Sequence, residues 1–584
     1  MKLAVDCCQY LGGVMGGGCF LLLVSFMLTS VMLGMFADST LMLIEWEYFK
    51  LCGLCFSVLI MVDLFGVLFS SLVCLIGGCV LVFSVSYMGG SKFMGEFFYL
   101  TMCFILVMNF LIFIPCLVFL LVGWDLLGVI SFLLVIYYQS KSSVSAGMMT
   151  VLVNRIGDIL LLLSVGLGSS FGGWDGFNAS ESGISSLVVV VGVLLVMAAM
   201  TKSAQFPFSV WLPAAMAAPT PISALVHSST LVVGGVYLLF RYYSFLGAID
   251  GLLLSLSKVG CLTLLVASFM ACFEFDIKKL VALSTLGHLG FMIYVLGLGY
   301  PVFSFFHMLS HAMFKALLFL CVGYYIHNTG HYLQDARQLC GIGWVSSPVL
   351  VSCSVVGFSS LCGLPYLSGF YSKHAILESS ISSLGGGFEL LCLVFGAAVS
   401  CFYSVWVLLW VVFGACGSYY LGGVSCDDRF VVSVYLLAMG SVFLGYLGQS
   451  VLVEFCDIFV ISFDSKMVLF LSTSVVGVVS TIGWFMVWFY SNYSSEISSS
   501  KTFLFFSSMW FLKYLFGRMP SFWWVNSVGL VKVLEVGWIE SLSVGVFGGL
   551  SLLSGWVWSL ERISILVLVR VGVVIILFMF TLWS

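Results

Sequence analysis

The sequence predicts an all-α polytopic membrane protein, and three features lead there. Of its 584 residues, 62% are hydrophobic and only 8% are charged, against about 25% charged in soluble globular chains. The mean hydropathy is +1.20, and no soluble fold could hide that much apolar surface. Apolar runs recur from Leu11 to the C-terminus, each about 20 residues long and so able to cross ~30 Å of hydrocarbon as a helix. Stretches such as Leu187–Val196 lack the in-out alternation that a closed barrel requires. The runs amount to about 15 to 16 transmembrane helices.

Polar breaks at Ala37–Lys50, Tyr87–Glu96, Gln139–Ser145, Gly172–Ser186, Glu274–Lys279, His327–Trp344, Gly422–Arg429 and Asn492–Lys501 separate the runs. Most are short, so no soluble domain is inserted between spans. The first apolar run is followed by many others instead of a cleavage site, and no Arg-rich transit peptide precedes it, so it reads as a retained first span. Between Arg518 and Arg562 a single helix would extend over ~65 Å, about twice the hydrocarbon thickness. That segment must be two spans or lie along the membrane. The final run, Ile563–Trp583, is long enough for one more span.

The formal charge of -4 excludes a basic nucleic-acid surface, which needs clustered Lys and Arg. The 20 cysteines are scattered. The close pair Cys52 and Cys55 has no second pair at metal-site spacing, so these thiols read as small packed hydrophobes. Abundant Phe (54), Gly (61) and Trp (16), beside scarce Pro (9) and His (7), fit T- and G-rich codons. This predicts a strand-biased organellar gene, which balanced base usage in the source DNA would exclude.

Two apolar stretches carry a proline beside polar groups: Lys202-Ser-Ala-Gln-Phe-Pro207, and Gly363-Leu-Pro365 followed by Gly369-Phe-Tyr-Ser-Lys373. Proline breaks a helix ladder, and broken backbone is tolerated in a membrane only where it lines a cavity. Interrupted helices in corresponding positions of two halves point to an ion pathway. The spacing is compatible with two five-helix repeats.

Charge at membrane depth costs at least ~2.5 kcal/mol, so ionisable residues inside apolar runs are functional candidates. Asp125 lies in Leu121-Val-Gly-Trp-Asp-Leu-Leu-Gly128, and Lys202 is its natural counter-ion. Making or breaking that pair would switch the proton affinity of Lys202. His307, His311 and Lys315 are spaced four and four, which puts them in a column on one helix face, as a proton relay needs. His-x-x-x-His alone supplies two metal ligands with no third in sight, which disfavours zinc. His227, after Pro219-Thr-Pro221, extends the polar line. Arg155 and Asp158 stand three apart on one helical face, an arrangement equally suited to a structural ion pair. Glu274-Phe-Asp276-Ile-Lys278-Lys279 reads as a polar loop or helix start, and His327, Asp335 and Arg337 read as loop residues.

These motifs occur in the order of a known family. Ser86-Tyr-Met88 with Glu96-Phe-Phe-Tyr-Leu100, Gly123-Trp-Asp125, Asn154-Arg-Ile-Gly-Asp158 and Lys202-Ser-Ala-Gln-Phe-Pro207 lead into Ala217-Ala-Pro-Thr-Pro-Ile-Ser-Ala-Leu-Val-His227. Asp276-Ile-Lys-Lys279, His307-Met-Leu-Ser-His-Ala-Met-Phe-Lys-Ala-Leu-Leu-Phe319, Ile326-His-Asn328, Gln334-Asp-Ala-Arg337 and Gly369-Phe-Tyr-Ser-Lys373 follow. From about residue 84 to 375 the chain resembles the antiporter-like subunits of mitochondrial NADH:ubiquinone oxidoreductase, complex I. The His-Asn and Gln-Asp-Ala-Arg segments resemble the chain 5 type more than the shorter chain 2 and chain 4 types.

The resemblance implies two inverted five-helix repeats with broken helices, a lateral helix and an anchor span. It divides the chain into N-terminal helices over 1–110, repeats over 111–255 and 256–415, additional helices over 416–495, a lateral amphipathic region over 496–562 and an anchor helix over 563–584. It implies proton translocation in the mitochondrial inner membrane beside chain 4 and chain 2 type subunits. FMN, iron–sulfur clusters and ubiquinone would sit on other subunits, with no cofactor or metal on this chain. Family roles fall on Asp125 and Lys202 as the coupled pair, on His227, His307, His311 and Lys315 as the central axis, and on Lys373 as the outlet lysine. The family usually has Glu at Asp125, Asp at His374, another polar residue at His288 and Arg at Trp406. Two other readings stay open: an Mrp-type cation/proton antiporter subunit, and a non-pumping structural clamp within complex I.

Overall fold

Apolar composition becomes helix almost throughout the computed structural model. It describes residues 2–453, apart from breaks at 39–40, 52–53, 92, 170–185, 250, 330–332, 383–385, 413 and 415–426. Beyond 453 it describes isolated positions and the short runs 505–506, 510–512, 525–533 and 572–574. Among the described residues, 11 helices are long and apolar enough to cross a membrane, in keeping with the all-α polytopic class. Most of 454–495, of the expected lateral region and of the expected anchor, and the side chains of Cys52 and Cys55, lie outside the described residues. The chain divides into one unit of Met1–Trp510 and a second of Phe511–Ser584, and the elements below belong to the first.

Helix α1 (Lys2–Asp38) opens the chain. A hairpin of β1 (Met42–Leu51) and β2 (Leu54–Val62) follows, antiparallel, with Met42 opposite Val62. The sequence reading has no strand here. Ile44 pairs with Ile60 and Trp46 with Val58, and β-branched and aromatic residues suit a pleated surface. Asp63 then caps α2 (Leu64–Tyr87), accepting from Gly66 N at 3.1 Å.

Next come α3 (Met94–Phe113), α4 (Leu117–Val135) and α5 (Lys141–Gly168), the last capped by Ser140. The first interrupted element pairs α6 (Ser186–Lys202) with the short α7 (Phe208–Ala217). Its break contains Ala204 in the left-handed region (φ 52) and Pro207. Then α8 (Thr220–Arg241) contains a π-helical stretch, Ser223–Thr230.

At the far end of α8, Arg241 forks onto Asp63 at 2.5 and 2.7 Å, and its Nε donates to Tyr237 OH at 2.7 Å. The Tyr237 hydroxyl in turn donates to Ile112 O at 2.9 Å. One nearly buried pair thus ties α2, α3 and α8 together, and losing either partner of such a pair typically costs ~3–5 kcal/mol.

α9 (Leu252–Phe273) and α10 (Ile277–Leu298) pack backbone to backbone. A Cβ at Gly260 would lie 2.6 Å from Tyr294 N, so only glycine permits this approach, as at other small-residue helix contacts in membranes. The Asp276-Ile-Lys-Lys279 segment starts α10, as expected. The Gln334-Asp-Ala-Arg337 segment docks on that start: Ala336 N donates to Phe275 O at 2.9 Å and Ile277 N to Gln334 O at 3.1 Å. Arg337 lies 4.0 Å over the Phe275 ring. His327, read as loop, instead belongs to the last turn of α11 (Pro301–Asn328).

The second interrupted element pairs α12 (Pro348–Cys362) with α13 (Ser368–Ser382). Gly363 (φ 85) ends α12, a left-handed C-terminal stop that favours glycine. α14 (Gly387–Val411) and α15 (Asp428–Leu452) complete the set. Both interruptions fall where the prolines predict them.

Candidate functional site

The column read from the sequence forms on α11, whose apolar stretch, like that of α8, is wholly enclosed. His307, His311 and Lys315 are all 0% exposed. α10 supplies a partner that sequence reading did not name as a site residue: His288 Nδ1 lies 3.1 Å from His307 Nε2. The other side of His307 meets Ser372 Oγ of α13 at 3.0 Å, and Ser310 Oγ donates to Ser372 Oγ at 2.8 Å. The His288 and His311 ring centroids are 5.6 Å apart. Lys315 Nζ donates to Ser284 Oγ of α10 at 2.5 Å. Lys373 Nζ donates to Ser400 Oγ of α14 at 2.6 Å and to Ala397 O at 3.4 Å. A buried polar seam therefore joins α10, α11 and α13, with the Lys373 contacts extending it to α14.

The first interrupted element carries Lys202, also 0% exposed. Lys202 and Asp125, read as a coupled pair, make no direct hydrogen bond or ion pair among the described residues. Lys202 Nζ donates to Trp124 O at 2.5 Å and lies 3.9 Å from the centroid of the Trp124 ring, a cation–π arrangement. Successive helix residues point about 100° apart, so Trp124 faces Lys202 while Asp125 turns to α5. There Arg155 Nη1 meets Asp125 Oδ1 at 2.5 Å and Asp158 Oδ2 at 3.3 Å. Lys202 is within electrostatic range of both carboxylates. The Arg155–Asp158 spacing seen in the sequence closes into an ion pair, and Asp125 joins it.

His227 is 1% exposed within the π-helical stretch, with the Trp211 ring edge-on at 6.1 Å between centroids. π-bulges often mark functional sites. Neither ring nitrogen of His227 or of His311 has a hydrogen-bond partner among the described residues. At the two departures in the second half, the His374 ring packs on Phe370 at 4.5 Å. Trp406 lies against Phe275 and Trp410.

Outside the spans, burial pushes the carboxyl of Glu274, between α9 and α10, up to about 7. Nearby Lys279 opposes this, while Asp276 and Asp335 add to it. Among the described residues no group of three or more His, Cys, Asp or Glu could hold a metal ion.

Residues 114–400, which contain every site residue above, match the family model described as NADH:quinone oxidoreductase/Mrp antiporter, TM. NADH-ubiquinone oxidoreductase chain 5 of Lumbricus terrestris is 39% identical over 86% of this chain and 87% of its own. The Aedes aegypti chain 5 is 37% identical, over 91% and 90%. The Mytilus edulis chain 5 is 37% identical, over 85% and 86%. The chain belongs to the NADH-ubiquinone oxidoreductase chain 5 family. In fold it resembles a chain of the Mrp complex from Dietzia sp. DQ12-45-1b, with a TM-score of 0.72 at 23% identity, covering 94% of this chain but 63% of that one. It also resembles a chain of the archaeal membrane-bound sulfane sulfur reductase, with a TM-score of 0.64 at 21% identity and 75% of each chain covered. The Mrp likeness is thus one of fold, whereas sequence identity over nearly the whole chain places this protein with the chain 5 subunits of complex I.

The seam runs through the part of the chain that matches the NADH:quinone oxidoreductase/Mrp antiporter family model. His288, Ser284, Ser372 and Ser400 were missed because each meets its partner across a helix interface, and periodicity reports only neighbours on one helix. A signal for His288 was present: a titratable residue in an apolar run, noted only as a departure.

Proposed function

We propose that this chain is a proton-translocating membrane-arm subunit of NADH:ubiquinone oxidoreductase whose protons move along the buried seam of Lys202, His227, His288, His307, His311, Lys315 and Lys373. The observation that carries this reading is the seam from Ser284 and Lys315 through His288 and His307 to Ser372, every member of which is buried. Buried ionisable groups are costly in a membrane, and a structural core has no use for so many in one row. Each imidazole can accept a proton on one nitrogen and release one from the other, which suits a relay.

Asp125, Arg155 and Asp158 form a charged triad beside Lys202. Shifting Arg155 between the two carboxylates changes the negative charge that Lys202 feels, and with it the readiness of Lys202 to hold a proton. Lys373 serves as the outlet lysine. Chain 4 and chain 2 type subunits are its neighbours in the mitochondrial inner membrane, while FMN, iron–sulfur clusters and ubiquinone belong to other subunits. The domain division stated above supplies the two half-pathways.

Native electrophoresis of gently solubilised source membranes, with an in-gel NADH oxidation stain and mass spectrometry, tests the assignment to the complex. The chain is expected in the stained band, and its migration apart from NADH oxidation would refute it. In reconstituted complex, Lys202→Ala should lower the protons pumped per NADH oxidised. Full pumping in that variant would favour a structural clamp instead.

A further inference from the structure

His227 sits in the π-helical stretch of α8, and the three residues after it explain why that stretch is there. Ser228, Ser229 and Thr230 are 0%, 1% and 0% exposed, and each hydroxyl turns back onto a carbonyl of its own helix. Ser228 Oγ donates to Ala224 O. Ser229 Oγ donates to Leu225 O at 2.9 Å, and Thr230 Oγ1 donates to the same oxygen at 2.7 Å. Thr230 departs from helical dihedrals (φ -129, ψ -76), and the next amide, Leu231 N, bonds Val226 O, five residues back. An ordinary helix would bond it to His227 O, four back. Hydroxyls that bond the carbonyl four residues earlier loosen and bend an α ladder, and side chains inserted into it cause local irregularity. Three such hydroxyls in a row account for the extra residue that the π turn holds.

The two halves of α8 are held by different partners. A Cβ at Gly323 of α11 would lie 2.7 Å from Thr220 Oγ1, so the start of α8 packs on the helix that carries the seam. A Cβ at Gly235 would lie 2.6 Å from Ala199 O and 2.9 Å from Ser203 N, so the later half packs on the backbone of α6 at the turn of Lys202. Arg241 then fixes the end of the helix on Asp63. Successive helix residues turn by about 100°, so one added residue between two clamped halves sets the rotation of one against the other. His227 lies in this joint, 1% exposed and beside Trp211. Neither of its ring nitrogens has a hydrogen-bond partner among the described residues, so the backbone that carries the ring sets its direction.

We infer that the Ser228, Ser229 and Thr230 hydroxyls are positioning groups for His227: they hold the π turn, and the π turn fixes the direction of the imidazole on a helix packed between α6 and α11. This rests on the place of His227 in the proposed pathway. Thr230 is the critical member, because its hydroxyl lies nearest the displaced amide. It bonds Leu225 O and approaches Val226 O, the acceptor of Leu231 N, at 3.5 Å. Without that hydroxyl, Leu231 N returns to the His227 carbonyl as in an ordinary helix. Because both halves of α8 are clamped, the rotation that the lost π bond releases falls on the residues of the joint, His227 among them. Serine at this position keeps the donor. Valine keeps the β-branched shape of threonine without it.

The test compares Thr230→Val, Thr230→Ser and His227→Ala in purified complex reconstituted into liposomes, reading the rate of proton pumping, and adds the structure of the T230V complex by electron cryo-microscopy. The positioning role predicts that T230V pumps about threefold more slowly, as for one lost hydrogen bond, while T230S keeps at least about half the parent rate. It also predicts that Leu231 N in T230V bonds His227 O. A threonine that only packs predicts the reverse order, since valine keeps both branches and serine drops a methyl, with Leu231 N still on Val226 O. That result would overturn the inference. Should T230V fail to assemble on a native gel, Ser229→Ala against Ser229→Thr makes the same comparison at Leu225 O. If His227→Ala pumps fully, the place of His227 in the pathway is refuted. If H227A fails while T230V and S229A pump fully, only the positioning role is.

Discussion

The two interrupted elements carry one buried lysine each, and their surroundings differ in kind. Lys202 sits against the Trp124 carbonyl and indole with Asp125, Asp158 and Arg155 nearby. Among the described residues Lys373, like Lys315 on α11, hydrogen-bonds to hydroxyls and carbonyls alone. A carboxylate attracts a proton and holds charge in place, and it can be switched by moving its cationic partner. A hydroxyl accepts and donates at once and keeps no charge. In the proposed pathway the first element would gate a proton and the second would pass it on, a division that fits the absence of carboxylate partners around Lys315 and Lys373 among the described residues.

The sharpest way to break this contrast is to remove titration from the gate. Lys202→Ala, and equally Lys202→Arg with its permanent charge, should lower the rate of proton pumping about tenfold, or ~1.4 kcal/mol of barrier. If Lys202→Arg pumps normally in reconstituted complex, the gate does not depend on a proton at this position. On the passing side, His307→Ala severs the link between His288 and Ser372 and should cost roughly fivefold, ~1 kcal/mol. Because neutral neighbours remain to either side, the loss should be smaller than at Lys202. Equal losses at the two sites would erase the distinction.

How far this was legible depended on the kind of signal. The column His307, His311, Lys315 could be read directly, because four-residue spacing on a helix is a geometric statement. The interruptions at Pro207 and Pro365 were legible because proline has a local steric effect. The seam was not, since nothing in one sequence aligns Ser372 with His307 or His288 with either. The Asp63–Arg241 pair, 178 positions apart, was invisible for the same reason. The β1–β2 hairpin was hidden differently: short apolar runs do not distinguish strand from helix by periodicity. Asp125 lies within α4 with Lys202 in electrostatic range, but its direct ion pair with Arg155 could not be read, because it depends on how α4 is rotated about its axis.

That rotation makes Asp125 a milder site than its position suggests. Its side chain is 38% exposed and that of Arg155 44%, so the pair lies at the outer face of its helices and not in the buried seam. In Asp125→Asn the guanidinium keeps Asp158, so pumping should fall only about twofold, ~0.4 kcal/mol. A double variant, Asp125→Asn with Asp158→Asn, should lose more than the two single variants combined. Simple additivity, measured as a double-mutant cycle on the rate of proton pumping, would mean that the carboxylates do not share Arg155.

The smallest effect expected lies outside the spans, at Glu274. Its carboxyl is raised from 4.5 to about 7 by burial, so between those values the folded protein holds a proton that the unfolded chain has released. Stability from this group is therefore fully present below about 4.5 and is lost as pH rises through about 7. Glu274→Gln removes the dependence by mimicking the protonated form. The thermal midpoint of the purified complex should fall between pH 6 and pH 8 by less in the Gln variant than in the parent. Because Asp276, Lys279 and the docked Asp335 segment surround Glu274, the difference should also shrink when Asp335→Asn weakens that field. An identical pH slope in parent and Gln variant would show that Glu274 is already ionised in the folded protein, and that the contact between the α10 start and the Gln334–Arg337 segment does not respond to pH near neutrality.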